Sequence, residues 1–244
     1  MNYQELFDAV QSYSENIFPA FDLSDGSQDT TTEQINRFIR QAEQRIYNTV
    51  QFPSLRKNVT GAVSTSNKYL SCPDDFLAVY SMAVIDASGN YEYLLNKDVS
   101  FIRQAYPNPT TSVGIPKYYA LFGPTTTSGS PPALTDELSF ILGPTPDAAY
   151  VVELHYFFYP ESITVAADGQ TWLGDNFDTV LLYGSLVEAY TYMKGETDMM
   201  ALYSQRYSEA LSQAKRLGDG LERSDAYRSG QARLMPLPQN NGVA

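Results

Sequence analysis

One cysteine, Cys72, is present in 244 residues. It excludes an intramolecular disulfide and any metal site built from several thiolates, so packing must hold the fold. Histidine is equally scarce, with His155 alone. A general base or an imidazole metal ligand has only that position to occupy. No apolar run approaches the ~20 residues of a membrane helix. The opening MNYQELFDAV also lacks the basic start and apolar stretch of a signal peptide. These absences predict a soluble protein made in a reducing compartment, with no membrane partner. GxSxG, Walker-type and HExxH motifs are missing as well, so no enzyme is expected.

Positive charge is scarce and unevenly placed. The net charge is −12, and from Tyr118 to Met193 there is no Lys or Arg against nine acids. Such a block repels DNA, because phosphate binding needs clustered cations. The last 22 residues reverse the sign. Arg223, Arg228 and Arg233 face one acid, Asp225, leaving the first 222 residues at −14. Hydrophobic residues at 43% and charged ones at 18% place the chain among globular proteins. Nineteen tyrosines and twelve phenylalanines accompany one tryptophan. Tyrosine joins a large apolar body to a polar tip, which suits contact surfaces as well as cores.

Hydrophobic spacing predicts a first helix over 3–17, with Leu6, Phe7, Val10, Tyr13 and Ile17 on one face. Thr32 is expected to cap a second helix that presents Ile35, Phe38, Ile39, Ala42, Ile46 and Val50 and stops at Pro53. The period then changes to two. RKNVTGAVSTSNKYLSCP predicts two short strands, and FLAVYSMAVIDASGNYEYLL a hairpin turning at Ser88-Gly89-Asn90. After a short helix, KDVSFIRQAY, come three strands: PKYYALFG, ELSFILGP and YVVELHYFFYP. In the last, Tyr150, Val152, Leu154, Tyr156 and Phe158 alternate with Val151, Glu153, His155 and Phe157. The Gly/Pro/Ser/Thr stretch at 123–136 is expected to be a projecting loop. Helical spacing returns after Trp172, with Asp175 as a cap and Phe177, Val180, Leu181, Gly184 and Val187 as a buried stripe. Gly195 is expected to end that helix. A last helix is expected from Thr197 to about Arg216, with Met199, Tyr203, Ala210 and Ala214 inward and Gly218 and Gly220 as its stop.

The predicted class is therefore α+β. A helical bundle is built from 1–53 and 173–222, an antiparallel β-sandwich or barrel-like domain is inserted at 54–172, and an extended tail follows at 223–244. Neither helix pair can bury its stripe alone, which is the reason to bring them together.

Candidate chemistry is sparse. His155 shares a strand face with Glu153, which points to an ion pair or hydrogen bond. A catalytic imidazole would also need a nucleophile within reach. Cys72 lies before Pro73 and reads as an inert small residue. Asp74 and Asp75 in PDDF could hold a divalent ion, but Asp after Pro fits turn or cap chemistry better. Glu161, Asp168, Asp175 and Asp178 lack cation-ligand spacing. No cofactor or metal site is predicted. The strand aromatics could stack against a sugar, although their alternation fits a two-sided core better.

The succession YLSCPDDFLAVYSMAVIDASGNYEYLL, GIPKYYALFG, LSFILGPTPDAAYVVELHYFFYP and TWLGDNFDTVLLYGSLVEAYTYMKGETDMMALYSQRYSEAL resembles bacteriophage head-to-tail adaptor proteins. The shared features are a strand running into PDDF, then GIPKYY from Gly114 to Tyr119, then GPTPD from Gly143 to Asp147. Trp172-Leu173 before LLYGSLVEAY and a following RYSEAL complete the order, and the likeness runs from Thr32 to Leu217. The resemblance implies a ring, usually of twelve subunits, that joins the portal to the tail tube or nozzle in the virion. Double-stranded DNA passes through such a ring without sequence-specific binding, and no enzymatic activity or cofactor is implied. It further implies a C-terminal extension that embraces the portal. Here that gives Arg223, Arg228 and Arg233 for acidic partners, and Tyr227, Leu234 and Met235 for apolar pockets. Two alternatives stand beside this: a disordered terminus with incidental arginines, and a β-rich tail module that recognises a glycan or another tail protein.

Overall fold

The structure is a computed structural model. It describes the backbone of residues 1–123, 125–127, 133–136 and 138–229, with side chains over 1–123 and 138–217. In chain order the elements begin with α1 (Tyr3–Ser14), β1 (Phe21–Asp22), β2 (Gln28–Asp29) and α2 (Thr31–Thr49). A 3-10 turn at Pro53–Leu55 leads to β3 (Arg56–Val63), β4 (Tyr69–Ser71), β5 (Ala78–Ile85), β6 (Tyr91–Tyr93) and β7 (Leu95–Asn96). Then come α3 (Val99–Ala105), β8 (Tyr118–Phe122), β9 (Thr125–Thr127), β10 (Ala133–Asp136), β11 (Ser139–Gly143) and β12 (Tyr150–Phe157). The chain ends in α4 (Trp172–Asn176), α5 (Asp178–Met193) and α6 (Thr197–Ser229). It divides into two units, Met1–Pro53 with Glu161–Ala244, and Ser54–Pro160.

In the first unit, α5 is buried on several sides. It packs against α1, α2 and α6 and hides Val180, Leu181, Leu182, Gly184, Ser185, Leu186 and Ala189. The stripe expected from the sequence is narrower, and Val187 is only half-buried. A helix covered all round needs no polar face, which is why a one-face pattern underestimates it. α2 does behave as a one-faced helix, with Ile35, Phe38, Ile39, Ala42 and Ile46 buried.

Three helix boundaries differ from expectation. The cap of α2 is Thr30, not Thr32. Its hydroxyl accepts the Glu33 amide at 3.3 Å while the Glu33 carboxylate accepts the Thr30 amide at 2.8 Å. Each of three consecutive threonines could cap, but only Thr30 stands three residues before the glutamate. α1 ends at Ser14 because Glu15 turns left-handed (φ 50°), leaving Ile17 exposed. Asp175 does not cap the long helix. Thr171 caps the one-turn α4, and α5 begins after Phe177 with no side-chain cap. At the far end of α5, Lys194 takes the left-handed turn. Gly195 follows because a Cβ there would lie 2.6 Å from the Tyr190 ring.

The second unit holds two four-stranded sheets, ordered β4-β11-β8-β7 and β3-β12-β5-β6. Both are open, so the barrel-like expectation is corrected. The pairing is antiparallel except between β7 and β8, which run parallel. The β5–β6 hairpin forms as expected, with Gly89 at φ 84° in the turn after Asp86. That backbone region suits glycine. β3 and β4 follow one another but enter different sheets, against β12 and β11. Inward residues of both sheets join one core cluster, with Met82, Val84, Tyr119, Phe140, Leu142, Val152, Leu154 and Tyr156. Phe140 meets Phe76 and Tyr119 edge-on at 5.5 and 5.8 Å. A smaller cluster, Ile102, Ala120 and Ile141, seats α3 on β8 and β11.

Candidate functional site

The sequence candidates for chemistry have structural partners. On the outer face of β12, His155 Nδ1 lies 3.2 Å from the Ser81 hydroxyl, and its Nε2 is 3.9 Å from Glu153. Glu153 in turn accepts from the Asn58 amide at 2.8 Å. This is a polar row that runs across three neighbouring strands, β3, β12 and β5. Asp75 of PDDF accepts from Lys57 and from the Tyr156 hydroxyl, each at 2.7 Å. Burial pushes the Asp75 carboxyl upward, but hydrogen bonds from Lys57 and Tyr156 and the Lys57 charge outweigh it, holding it below the ordinary value. Phe76 N–H closes a turn onto the Pro73 carbonyl at 3.1 Å, the turn chemistry expected after proline. Cys72 packs half-buried against the core of the second unit.

The aromatics of β12 divide by face. Tyr156 is fully buried and Tyr150 packs against the same core, as alternation predicted. That removes Tyr156 from any sugar-stacking face. Exposed aromatics do occur nearby: Tyr91 and Tyr93 stack at 6.4 Å, and the Arg56 guanidinium lies 4.6 Å above the Tyr80 ring.

The stretch at 123–136 contains more than a loop. β9 and β10 pair antiparallel, with a bulge between Leu134 and Asp136. They form a two-stranded sheet of their own, between β8 and β11 in chain order. Three consecutive threonines, β-branched and suited to a strand, supply one side. Glycine and proline content hid that signal.

The largest correction concerns the C-terminal residues. α6 does not stop near Arg216 but continues through Gly218 and Gly220 to Ser229. Each glycine weakens a helix interior by ~1 kcal/mol. Elongating an existing helix nevertheless fixes few dihedrals per added hydrogen bond. Acid–base spacings at Asp219/Arg223 and Asp225/Arg228 favour the continuation, as does a cation in the last turn. Arg223, Tyr227 and Arg228 therefore stand on helical backbone. Arg233, Leu234 and Met235 lie outside the described residues. The whole helix, at 33 residues, spans roughly 50 Å.

The acidic block from Tyr118 to Met193 is shared between the two units. Asp147 and Glu153 fall in the second, whereas Glu161, Asp168, Asp175, Asp178 and Glu188 fall in the first. Some of these acids are engaged: Glu188 pairs with Arg45, and Asp147 accepts from the Tyr150 hydroxyl at 2.5 Å. Among the described residues no cluster of His, Cys, Asp and Glu could hold a metal ion, and no helix is long and apolar enough to cross a membrane.

No curated protein matches the chain. A family model described as SU10 adaptor protein matches residues 1–234, beyond both ends of the motif likeness, which runs from Thr32 to Leu217. With nearly its full length matched, and with the ordered motifs pointing to the same kind of protein, the chain belongs to the SU10 adaptor protein family.

Proposed function

We propose that this chain is a structural subunit of the head-to-tail junction. It forms a ring of identical copies, twelve by resemblance, between the portal and the tail tube or nozzle of a virion. The observation that carries this reading is the family match over residues 1–234. The role needs no catalysis and no cofactor. In this reading the helices of the first unit form a bundle and the two sheets of the second form a sandwich. Acids from the block between Tyr118 and Met193 that are left free of other contacts supply a lumen surface that lets duplex DNA slide without adhesion.

The helical course of α6 alters how portal contact is framed. Arg223, Tyr227 and Arg228 are offered to the portal from a helix, and Arg233, Leu234 and Met235 follow it in sequence. Arginines pair with acids on the portal, while the apolar side chains fill pockets. Imaging the chain mixed with portal rings tests the reading: a ring of added density on one portal face is expected. Portal rings that stay bare at micromolar adaptor would overturn it.

A further inference from the structure

Four cations in the second unit have no carboxylate partner among the described residues: Lys68, Lys97, Arg103 and Lys117. All four are fixed to one sheet. The Lys68 carbonyl accepts the Leu142 amide at 2.8 Å, and the Lys117 and Lys97 amides donate to Gly143 and Tyr119, each at 2.9 Å. Arg103 stands on α3, which packs on β8 and β11. Asp98, the acid next to Lys97, is committed to capping α3 through the Ser100 amide at 2.7 Å. Lys68 and Arg103 converge on a cleft of about 210 Å³ walled by Ile102, Tyr106, Pro107, Pro109 and Ile141, with no acid among its lining residues. Lys68 also lies 5.2 Å from the Tyr69 ring centre, so its charge is only partly engaged. A cleft with two cations that lack carboxylates, and with apolar walls, fits a carboxylate carried on a peptide better than a phosphate backbone, which asks for a longer row of cations.

The chain itself supplies that chemistry. Copies that each carry −12 repel one another everywhere except where unlike patches meet. Rings are built from such heterologous contacts, in which two different surfaces of one subunit meet. The fitting acids lie in the segment from Glu161 to Gly169, part of the stretch without Lys or Arg. Glu161 and Asp168 are exposed there. Two hydrogen bonds tie the segment to the helices of its unit: Ile163 N–H donates to Glu43 at 2.9 Å, and the Gly169 carbonyl accepts the Tyr3 amide at 2.8 Å. Arg40 reaches in from α2 to Thr164 at 2.9 Å, and neither carboxylate has a cation partner among the described residues. Resting on the ring reading above, we propose that the Lys68–Arg103 cleft receives the Glu161–Asp168 segment of the next copy, and that this contact sets the subunit interface.

Charge exchange on the full chain tests it, with self-association followed by analytical ultracentrifugation from low to high salt. Wild type should associate at low salt and dissociate as salt screens the contact. Lys68→Glu with Arg103→Glu should weaken association roughly tenfold or more, and Glu161→Lys with Asp168→Lys should do the same. Carrying all four changes in one chain should restore it, an outcome that mere misfolding cannot give. Association of wild type that neither pair of changes weakens would overturn the contact and leave the ring standing. A wild-type chain that stays monomeric at low salt would overturn the contact too, and portal imaging then decides the ring separately. If wild type instead retains a duplex DNA fragment at the same salt and the cleft variant releases it, the cleft is a phosphate site and the proposal fails.

Discussion

The Glu43 carboxylate, buried on α2, accepts the Ile163 backbone amide at 2.9 Å across 120 positions of chain. Burial raises the Glu43 pKa, and the Ile163 hydrogen bond only partly opposes it. A folded-state pKa above the unfolded value means that this group stabilises the fold below about pH 4.5 and loses that contribution as pH rises through the raised value. Glu43→Gln keeps an acceptor for Ile163 and removes the charge. Urea unfolding followed by Trp172 fluorescence should show the variant at least as stable as wild type at pH 7, with a flatter pH profile. Glu43→Ala leaves the amide unpaired and should cost ~1–3 kcal/mol. Trp172 is a fitting probe because it packs on Phe52 and Phe177 in the same unit, at 5.1 and 5.6 Å.

Asp75 has the opposite sign. Its pKa is lowered, so its contribution is present above the ordinary Asp value and is lost as pH falls through the folded value. The partners are unequal. Lys57 and Asp75 are 47% and 37% exposed, and an ion pair so wet is worth ~0–1 kcal/mol. Tyr156 is 1% exposed, and its hydroxyl depends on Asp75. Chemical denaturation followed by far-UV circular dichroism should therefore rank Asp75→Ala as clearly more destabilising than Lys57→Ala. Equal losses would mean that the ion pair dominates.

These two sites also mark the reach of sequence reasoning. Alternation along β12 placed Tyr156 inward, because a period of two fixes the face of a strand residue once one neighbour is known. Nothing local says that Asp75 lies beneath it, 81 positions away, since that pairing follows from which strands meet. The same holds for Glu43: a lone acid on an otherwise apolar face was a signal, but its partner amide was not. The Thr30–Glu33 box was legible from spacing alone, and Thr32 was the weaker choice. Glycines misled at the C-terminus because a stop depends on how much helix precedes them. The cleft at Lys68 and Arg103 could not be found from sequence, as those cations are 35 positions apart and meet through β11 and α3.

Gly184 on α5 sits where little room is left for a side chain. A Cβ there would sit 3.2 Å from both the Ala42 Cβ and the Tyr207 ring, where α2 and α6 close on α5. Gly184→Ala requires small shifts of these neighbours, whereas Gly184→Val forces the helices apart. The valine variant should lose ~1–3 kcal/mol, read by Trp172 fluorescence in urea, and the alanine variant less. An unchanged valine variant would mean that the three helices are not in register as described.

The run of α6 to Ser229 yields the last prediction. If portal contact is delivered by a helix, its continuity through Gly218 and Gly220 matters as much as its arginines. Gly218→Ala with Gly220→Ala should raise helicity and strengthen binding to portal rings, because each change favours the helix by ~1 kcal/mol. Gly220→Pro removes a backbone donor and should weaken binding by a similar or greater margin. Arg223→Ala with Arg228→Ala removes the guanidinium groups, and the high helix propensity of alanine offsets the acid–base spacings lost with them. Portal pull-down, with circular dichroism on the same samples, separates these effects. Loss of binding in the arginine variant without loss of helicity assigns the contact to the guanidinium groups. Loss in the proline variant alone assigns it to the direction in which α6 carries the following residues, and full binding by both variants would remove α6 from the portal contact.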